Sequence, residues 1–373
     1  MTETELTIRN NLIKQDKWLF FALLSLIIIG IITIFSAAAG FSGRGTDYVV
    51  RQLIIACVSL AAFTVVIAVG HEKIFEMAYQ IYFIILLVLL FTIFFAPQVT
   101  GSRRWLVIAG WGLQPSEFAK VVICLGLSKY LNRNPPITIK SYIGAFLFVL
   151  PIFLLILMQP DLGSSMVFIV ITLCAVFVAG APKRYLFATI ALGILALPIG
   201  WIFLKEYQKV RLLIFLDPAA DPLGAGYSVM QSRITIGSGG LWGKGYLEGM
   251  QSKLHFLPEA HTDFIFSVYC EEFGFIGSLI VLTVFCFLFL RILQTGLKSR
   301  DTRSKILVTC ISAWIWFQMF ESIGMSMGIL PVTGLPLPLL SYGGSSMVSI
   351  LVALALVSSI HISNIKSYKI EAV

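Results

Sequence analysis

Long runs of apolar residues recur along this chain, separated by short segments rich in Pro, Gly and charge. The runs are Trp18–Ala38, Leu53–Val69, Ile74–Ala96, Pro115–Leu131, Tyr142–Met158, Leu162–Ala179, Tyr185–Leu204, Phe264–Leu293, Ile306–Phe320 and Ser345–Ile360. Each is close to the roughly 20 residues that a helix needs to cross a bilayer. Runs such as Ile74 to Ala96 are apolar on every side, whereas barrel strands alternate apolar and polar positions. The pattern therefore predicts an all-α polytopic integral membrane protein with about ten transmembrane helices. The whole chain, 1–373, reads as one membrane domain, and its largest extramembrane part is the loop 205–262 between helices 7 and 8.

Composition agrees with the pattern. Hydrophobic residues make up 58% and charged residues 12%, against roughly 45–50% and about 25% in soluble domains, which excludes an ordinary soluble enzyme. Ala37 and Ala39 imitate a signal-peptide cleavage site, but the run before them is long for a signal core and reads as an uncleaved span. The six cysteines all fall in apolar stretches without a Cys-x-x-Cys pair, so neither a disulfide framework nor a zinc site is indicated.

The net charge of +8 is spread over short loops instead of forming one basic stripe, so it does not point to nucleic acid. It does set an orientation. With the N-terminus cytoplasmic, sixteen Lys and Arg residues, Arg9, Lys73 and Lys298 among them, fall on the inner side, and Arg44, Arg51, Arg103 and Arg104 fall in short outer loops. The positive-inside rule then places both termini in the cytoplasm. The 105–115 turn, the Gln159-Pro160-Asp161 turn, the long loop and the 331–344 segment all lie outside.

Charges inside spans are costly and mark candidate sites. Glu117 and Lys120 lie three apart on one helix face and can pair across a turn. Asp161 opens a span and can cap it. Glu271 and Glu272 lie two turns into a span that is long for a simple crossing, and Glu321 lies close enough to an outer helix end to be solvated.

The loop is too long for a passive connection, and its aromatic and apolar residues predict short helices or interfacial segments. Its glycine cluster, Gly237 to Gly249, contains Gly-Lys-Gly but lacks a P-loop's ending, and reads as a re-entrant turn. It ends in Pro258-Glu259-Ala260-His261-Thr262-Asp263 at a helix start, where Asp263 can be a cap or a catalytic carboxylate, and His261 a hydrogen-bonding partner or a metal ligand.

Four stretches taken together resemble the SEDS family of bacterial shape, division and sporulation proteins (RodA/FtsW/SpoVE). They are residues 111–120 (Trp-Gly-Leu-Gln-Pro-Ser-Glu-Phe-Ala-Lys), 159–164 (Gln-Pro-Asp-Leu-Gly-Ser), 256–264 (Phe-Leu-Pro-Glu-Ala-His-Thr-Asp-Phe) and 336–346 (Pro-Leu-Pro-Leu-Leu-Ser-Tyr-Gly-Gly-Ser-Ser). The short termini and Pro336-Leu337-Pro338 are most like the RodA branch. One departure is Ser322, which stands where members commonly carry Asn.

The resemblance implies a peptidoglycan glycosyltransferase of the bacterial inner membrane. It would polymerise lipid II for cell-wall elongation and rod shape, acting with a class B penicillin-binding transpeptidase and other elongation-complex membrane proteins. It further implies that Asp263 is catalytic, that Glu117, Lys120 and Asp161 belong to the surrounding polar cavity with His261 in support, and that a divalent cation (Mg or Mn) takes part. Inverting transfer from a lipid pyrophosphate needs a base and positive charge at the leaving group, for which Lys120, Arg211 and Arg233 are candidates. A lipid II flippase, an FtsW-like division polymerase and a transpeptidase scaffold are the alternatives.

Overall fold

The computed structural model describes residues 14–39, 45–97, 103–108, 110–203, 206–217, 221, 224–254 and 256–371. Arg9 and Arg44, used in the charge reading, and Lys205, where the long loop begins, lie outside the described residues. Among the described residues ten long helices form the bundle: α1 (Lys17–Ala39), α2 (Gly45–Val69), α4 (Ala78–Phe95), α5 (Pro115–Arg133), α6 (Ile139–Met158), α7 (Leu162–Val178), α8 (Lys183–Phe203), α12 (Ile265–Lys298), α13 (Thr302–Ser326) and α14 (Gly344–Glu371). Eight of them are long and apolar enough to cross a membrane. The other two are α7, with 17 residues, and α5, which carries Glu117 and Lys120 near its start.

Shorter elements complete the chain. The short helix α3 (His71–Glu76) separates α2 from α4, so the run predicted from Ile74 breaks at Met77. A hairpin of β1 (Leu106–Ile108) and β2 (Trp111–Leu113) leads into α5, turning at Gly110 with φ 80°. In the long loop, the predicted short helices are α9 (Glu206–Leu216), α10 (Ala225–Ser238) and α11 (Met250–Lys253).

Packing explains the helix faces. In α1, Leu19, Leu23, Leu26, Ile27 and Ile34 recur at helical spacing and are buried, while Phe21, Ile28 and Ile32 point outward. Apolar side chains on the outer face are expected where lipid replaces water. Helix α13 lies at the centre, against α5, α7 and α12, and buries Trp314 completely.

Helix α12 is not one straight rod, because Gly274 has φ 65° and ψ −161° and kinks it. The glycine turn of the long loop nests in that kink. A Cβ on Gly243 would collide with the Glu272 carbonyl, and one on Gly239 with the Cys270 carbonyl. Glu271 and Glu272 hold the turn in place. Glu271 Oε1 pairs with Lys244 Nζ at 2.7 Å and accepts the Met250 N–H, while Glu272 Oε1 accepts the Leu247 N–H and the Ser36 hydroxyl. Lys244 of the Gly-Lys-Gly motif is thus an internal ion-pair partner of the fold.

The four motif stretches converge at one end of the bundle. The Arg104 guanidinium donates to the Gln159 and Pro160 carbonyls, the Gln114 N–H to Ser345 Oγ, and the Tyr342 N–H to the His261 carbonyl. The opposite end is tied separately. There Arg291 donates twice to Asp16 Oδ2, at 2.9 and 2.7 Å, and Asn364 donates to the Thr295 carbonyl.

Gly30 of α1 fits against the segment that carries Pro336 to Tyr342. A Cβ there would lie 2.7 to 2.9 Å from the backbone of Leu339 and Leu340. Alanine normally favours a helix by about 1 kcal/mol over glycine, but here the contact is unyielding backbone, so overpacking wins. We expect Gly30→Ala to lower the thermal unfolding midpoint in detergent, by an amount corresponding to about 1–3 kcal/mol. A midpoint that is unchanged or raised would contradict this packing.

Candidate functional site

Asp263 stands at a corner formed by the end of the loop. Glu259, with φ 48°, folds the backbone so that its carbonyl accepts the N–H groups of Thr262, Asp263 and Phe264. The N-cap position of α12 is Phe264, and no side chain caps it. Asp263 is therefore not spent on capping its helix, and one of the two readings of that carboxylate falls away.

The 331–344 segment is pinned over this corner. Ser341 Oγ donates to the Thr262 carbonyl at 2.7 Å and accepts the Leu337 N–H at 2.8 Å. Gly334 faces the carboxylate directly, since a Cβ on it would lie 3.4 Å from Asp263 Oδ2. Only a residue without a side chain leaves that approach open, and its φ of 79° suits glycine as well.

By surface exposure Asp263 is only partly buried, yet protein atoms crowd its carboxyl. That desolvation, reinforced by the Glu259 carboxylate, pushes its pKa up to about 6, while Arg211 and the Thr262 hydroxyl pull the other way. A carboxyl poised there is ionised at neutral pH and basic enough to take a proton. His261 has its imidazole pushed below the usual value by burial. Its ring packs 4.7 Å from Tyr48 and 5.7 Å from Tyr342, which makes it part of an aromatic wall beside Asp263.

Asp161 caps α7, as one reading of its position expected, and does more. Its carboxylate accepts the Ser164 N–H at 3.1 Å, the Ser164 hydroxyl at 3.0 Å and Gln114 Nε2 at 3.3 Å, with Arg104 4.0 Å away. Glu117 and Lys120 form the expected pair, with Lys120 Nζ 2.6 Å from Glu117 Oε1. Lys120 is fully buried, donates also to Gln318 Oε1 at 3.2 Å and lies over the Trp314 ring. It lines the floor beneath the site and is closed off from the surface.

Arg211 of α9 donates to the Val332 carbonyl and lies at the rim of a cleft lined by Arg104, Pro160, Leu162, Gln208 and Thr333. Arg233 of α10 donates to the Gly328 carbonyl beyond the end of α13.

Glu321 departs from the expectation of a solvated helix end. It is 3% exposed, accepts the Thr333 hydroxyl, and has its second oxygen, Oε2, buried without a protein partner. It interacts electrostatically with Asp263, Asp161 and Lys120. Thr333 precedes Gly334, so Glu321 stands directly behind the segment that faces Asp263. Its neighbour Ser322 is fully buried with a hydroxyl that has no protein partner; the position commonly held by Asn thus keeps a polar atom on a shorter side chain. Among the described residues no three His, Cys, Asp or Glu side chains gather into a group able to hold a metal ion.

Sequence reasoning did not find Arg104, Gln318, Thr333 or the Tyr48–Tyr342 wall. Arg104 counted only as an outer charge, and the other contacts join residues far apart in the chain, leaving no local signal.

The family model of FtsW, RodA and SpoVE, described as cell cycle protein, matches residues 17–366. A protein of Escherichia coli K12 named peptidoglycan glycosyltransferase MrdB is 38% identical, with 90% of this chain and 92% of the relative aligned. One of Treponema pallidum named peptidoglycan glycosyltransferase RodA is 32% identical over 93% and 97%. Among solved structures, a chain of a peptidoglycan synthase complex described as coordinating polymerization and crosslinking matches with TM-score 0.82 and 31% identity, over 94% of this chain and 98% of that one. The rod shape determining protein RodA of Thermus thermophilus matches with TM-score 0.71 and 28% identity, over 93% and 96%.

The buried pair yields a double test. Removing one member of a buried ion pair leaves an uncompensated charge and costs about 3–5 kcal/mol, while replacing both is far less harmful. Lys120→Met should sharply lower thermal stability in detergent, and Glu117→Gln with Lys120→Met should recover most of the loss. Equal stability of the single and double variants would refute the pairing.

Proposed function

The chain belongs to the FtsW/RodA/SpoVE family of cell cycle proteins, and we propose that it polymerises lipid II, with Asp263 as the base that activates the incoming sugar hydroxyl. Its activity is that of a peptidoglycan glycosyltransferase, as its relatives are named. The observation that carries the role of Asp263 is a carboxylate that caps nothing and faces Gly334, with its pKa pushed up to about 6 by the protein crowded around it.

In the reaction the acceptor hydroxyl oxygen attacks the anomeric carbon of the donor sugar, and Asp263 takes the hydroxyl proton. The bond from that carbon to the pyrophosphate oxygen breaks, its electrons stay with the lipid pyrophosphate, and the anomeric configuration inverts. Arg211 at the cleft rim, where it also donates to the Val332 carbonyl, offers its guanidinium to the departing oxygens. Glu117, Lys120 and Asp161 hold the floor and the α7 entrance of the cavity, His261 its aromatic wall, and Arg233 serves as a more distant cation. The substrate side is taken as extracytoplasmic with both termini cytoplasmic, on the charge asymmetry of the loops. A class B penicillin-binding transpeptidase is the proposed partner, by analogy with the synthase complex that the fold matches.

A divalent cation, Mg²⁺ or Mn²⁺, remains part of the proposal without an assigned step, because the described residues include no ready ligand set. A cation acting here would draw mainly on substrate oxygens and water, as Mg²⁺ commonly does.

Purified protein incubated with lipid II is the direct test. Wild type should yield glycan polymer, and Asp263→Asn should yield less than about 1% of it while remaining folded. Leaflet exchange of lipid II without polymer would instead identify a flippase.

The pH dependence has a definite sign. The base works ionised, so the rate should fall as pH drops through about 6. Because the folded-state pKa is raised from 3.8, the folded protein binds the proton more tightly than the unfolded chain. Ionising Asp263 thus costs stability as pH rises through the window from about 4 to about 6. Asp263→Asn should consequently unfold no earlier than wild type at pH 8. A flat pH–rate profile between 5 and 7, or a large drop in unfolding temperature, would sink the assignment.

A further inference from the structure

At the end of the bundle opposite Asp263, two adjoining cavities of about 180 and 300 Å³ open between α3, the α12–α13 turn and α14. They share His71, Glu72 and Ser363. Lys298, Arg300 and Arg303 line the first, and Lys73 and Lys366 the second. Glu72 and Asp301 are the carboxylates lining them, so cations outnumber anions in a space that three separate chain segments build. Asp301 caps α13, accepting the Arg303 N–H, and pairs with Arg303 Nε at 3.2 Å, so these two charges offset each other and leave Lys298, Arg300, Lys73 and Lys366 against Glu72 in the lining.

The lining is suited to an anion in other respects. Ser299, Ser304 and Asn364 add polar groups to the first cavity and Ser359 to the second, where it bonds His71. The apolar residues Ile67, Val69 and Ile362 border the second cavity on the side of the spans. A ligand with an anionic phosphate head and an acyl body matches both halves, and basic pockets between helices at this membrane level recognise such headgroups.

We propose that these paired cavities form a binding site for the phosphate of an anionic phospholipid on the face opposite the glycosyltransferase site. The recognised chemistry is a phosphate, and its source is the surrounding leaflet. The site concerns a different end of the molecule and does not depend on the role of Asp263.

Native mass spectrometry of the full chain, released from micelles containing phosphatidylglycerol and phosphatidylcholine, reads lipid retention directly. Wild type should keep phosphatidylglycerol in preference. Lys73→Gln with Lys366→Gln should reduce its retention at least about fivefold, given the contribution of each cation near an anionic lipid. The control is Lys140→Gln with Lys183→Gln, which removes the same charge from the same face outside the cavities and should leave retention unchanged. Equal losses in both double variants would show diffuse attraction and overturn the site, as would no loss in the first. Retention of inorganic phosphate with no preference for phosphatidylglycerol over phosphatidylcholine would overturn the lipid as occupant and leave a free-phosphate site.

Discussion

An ammonium group shut inside a membrane bundle has to be neutralised and hydrogen-bonded, and Lys120 meets that requirement in a way that organises the active end. Glu117 Oε1 supplies the charge and Gln318 Oε1 the second acceptor. Gln318 in turn donates to the Pro336 carbonyl, and the next residue, Leu337, donates to Ser341 Oγ. Ser341 donates to the Thr262 carbonyl, one residue before Asp263. An unbroken run of contacts thus leads from a buried cation on α5, through α13 and the proline-rich segment, to the residue next to Asp263. Each link is expensive to break because little water is available to replace it.

The same run explains why residues so distant in sequence behave as one site. Positioning a base to within a fraction of an ångström needs a rigid frame. Here the frame is made of backbone carbonyls, whose places are set by helix packing, joined by the Gln318 and Ser341 side chains. Gly334 and Gly30 work in this frame by omission. One keeps the approach to Asp263 open, and the other lets α1 lie against Leu339 and Leu340.

Much of this was legible in the amino-acid pattern, for identifiable reasons. Hydropathy reads spans well because lipid forbids unsatisfied backbone, and all ten long helices coincide with predicted runs to within a turn or two at most ends. Asp161 and the Glu117–Lys120 pair were readable because capping and i,i+3 pairing are local. Glu321 was not. Whether a carboxylate near a helix end is solvated depends on what covers it, and its cover is Thr333, brought in by a loop after the helix ends. Glu271 and Glu272 were ambiguous for the same reason, since their partners come from the long loop and, for Glu272, also from Ser36 of α1. The hairpin before α5 escaped notice because its strands have three residues each.

The two carboxylates that open helices show how far a local rule can be carried. Asp161 and Asp263 each precede an apolar run, and the capping preference treats them alike. The chain separates them through the residues just ahead. The Gln159-Pro160 turn delivers Asp161 at the N-cap position, where the Ser164 N–H meets its carboxylate. The left-handed Glu259 instead gathers three amides on its own carbonyl, so Phe264 takes the N-cap position and the carboxylate of Asp263 turns away from its helix. Kept from the cap and crowded by protein, the Asp263 carboxyl is pushed up to about 6 by desolvation. The difference between two similar sequence positions is therefore a backbone difference, set by how the turn ahead of each helix places its carboxylate.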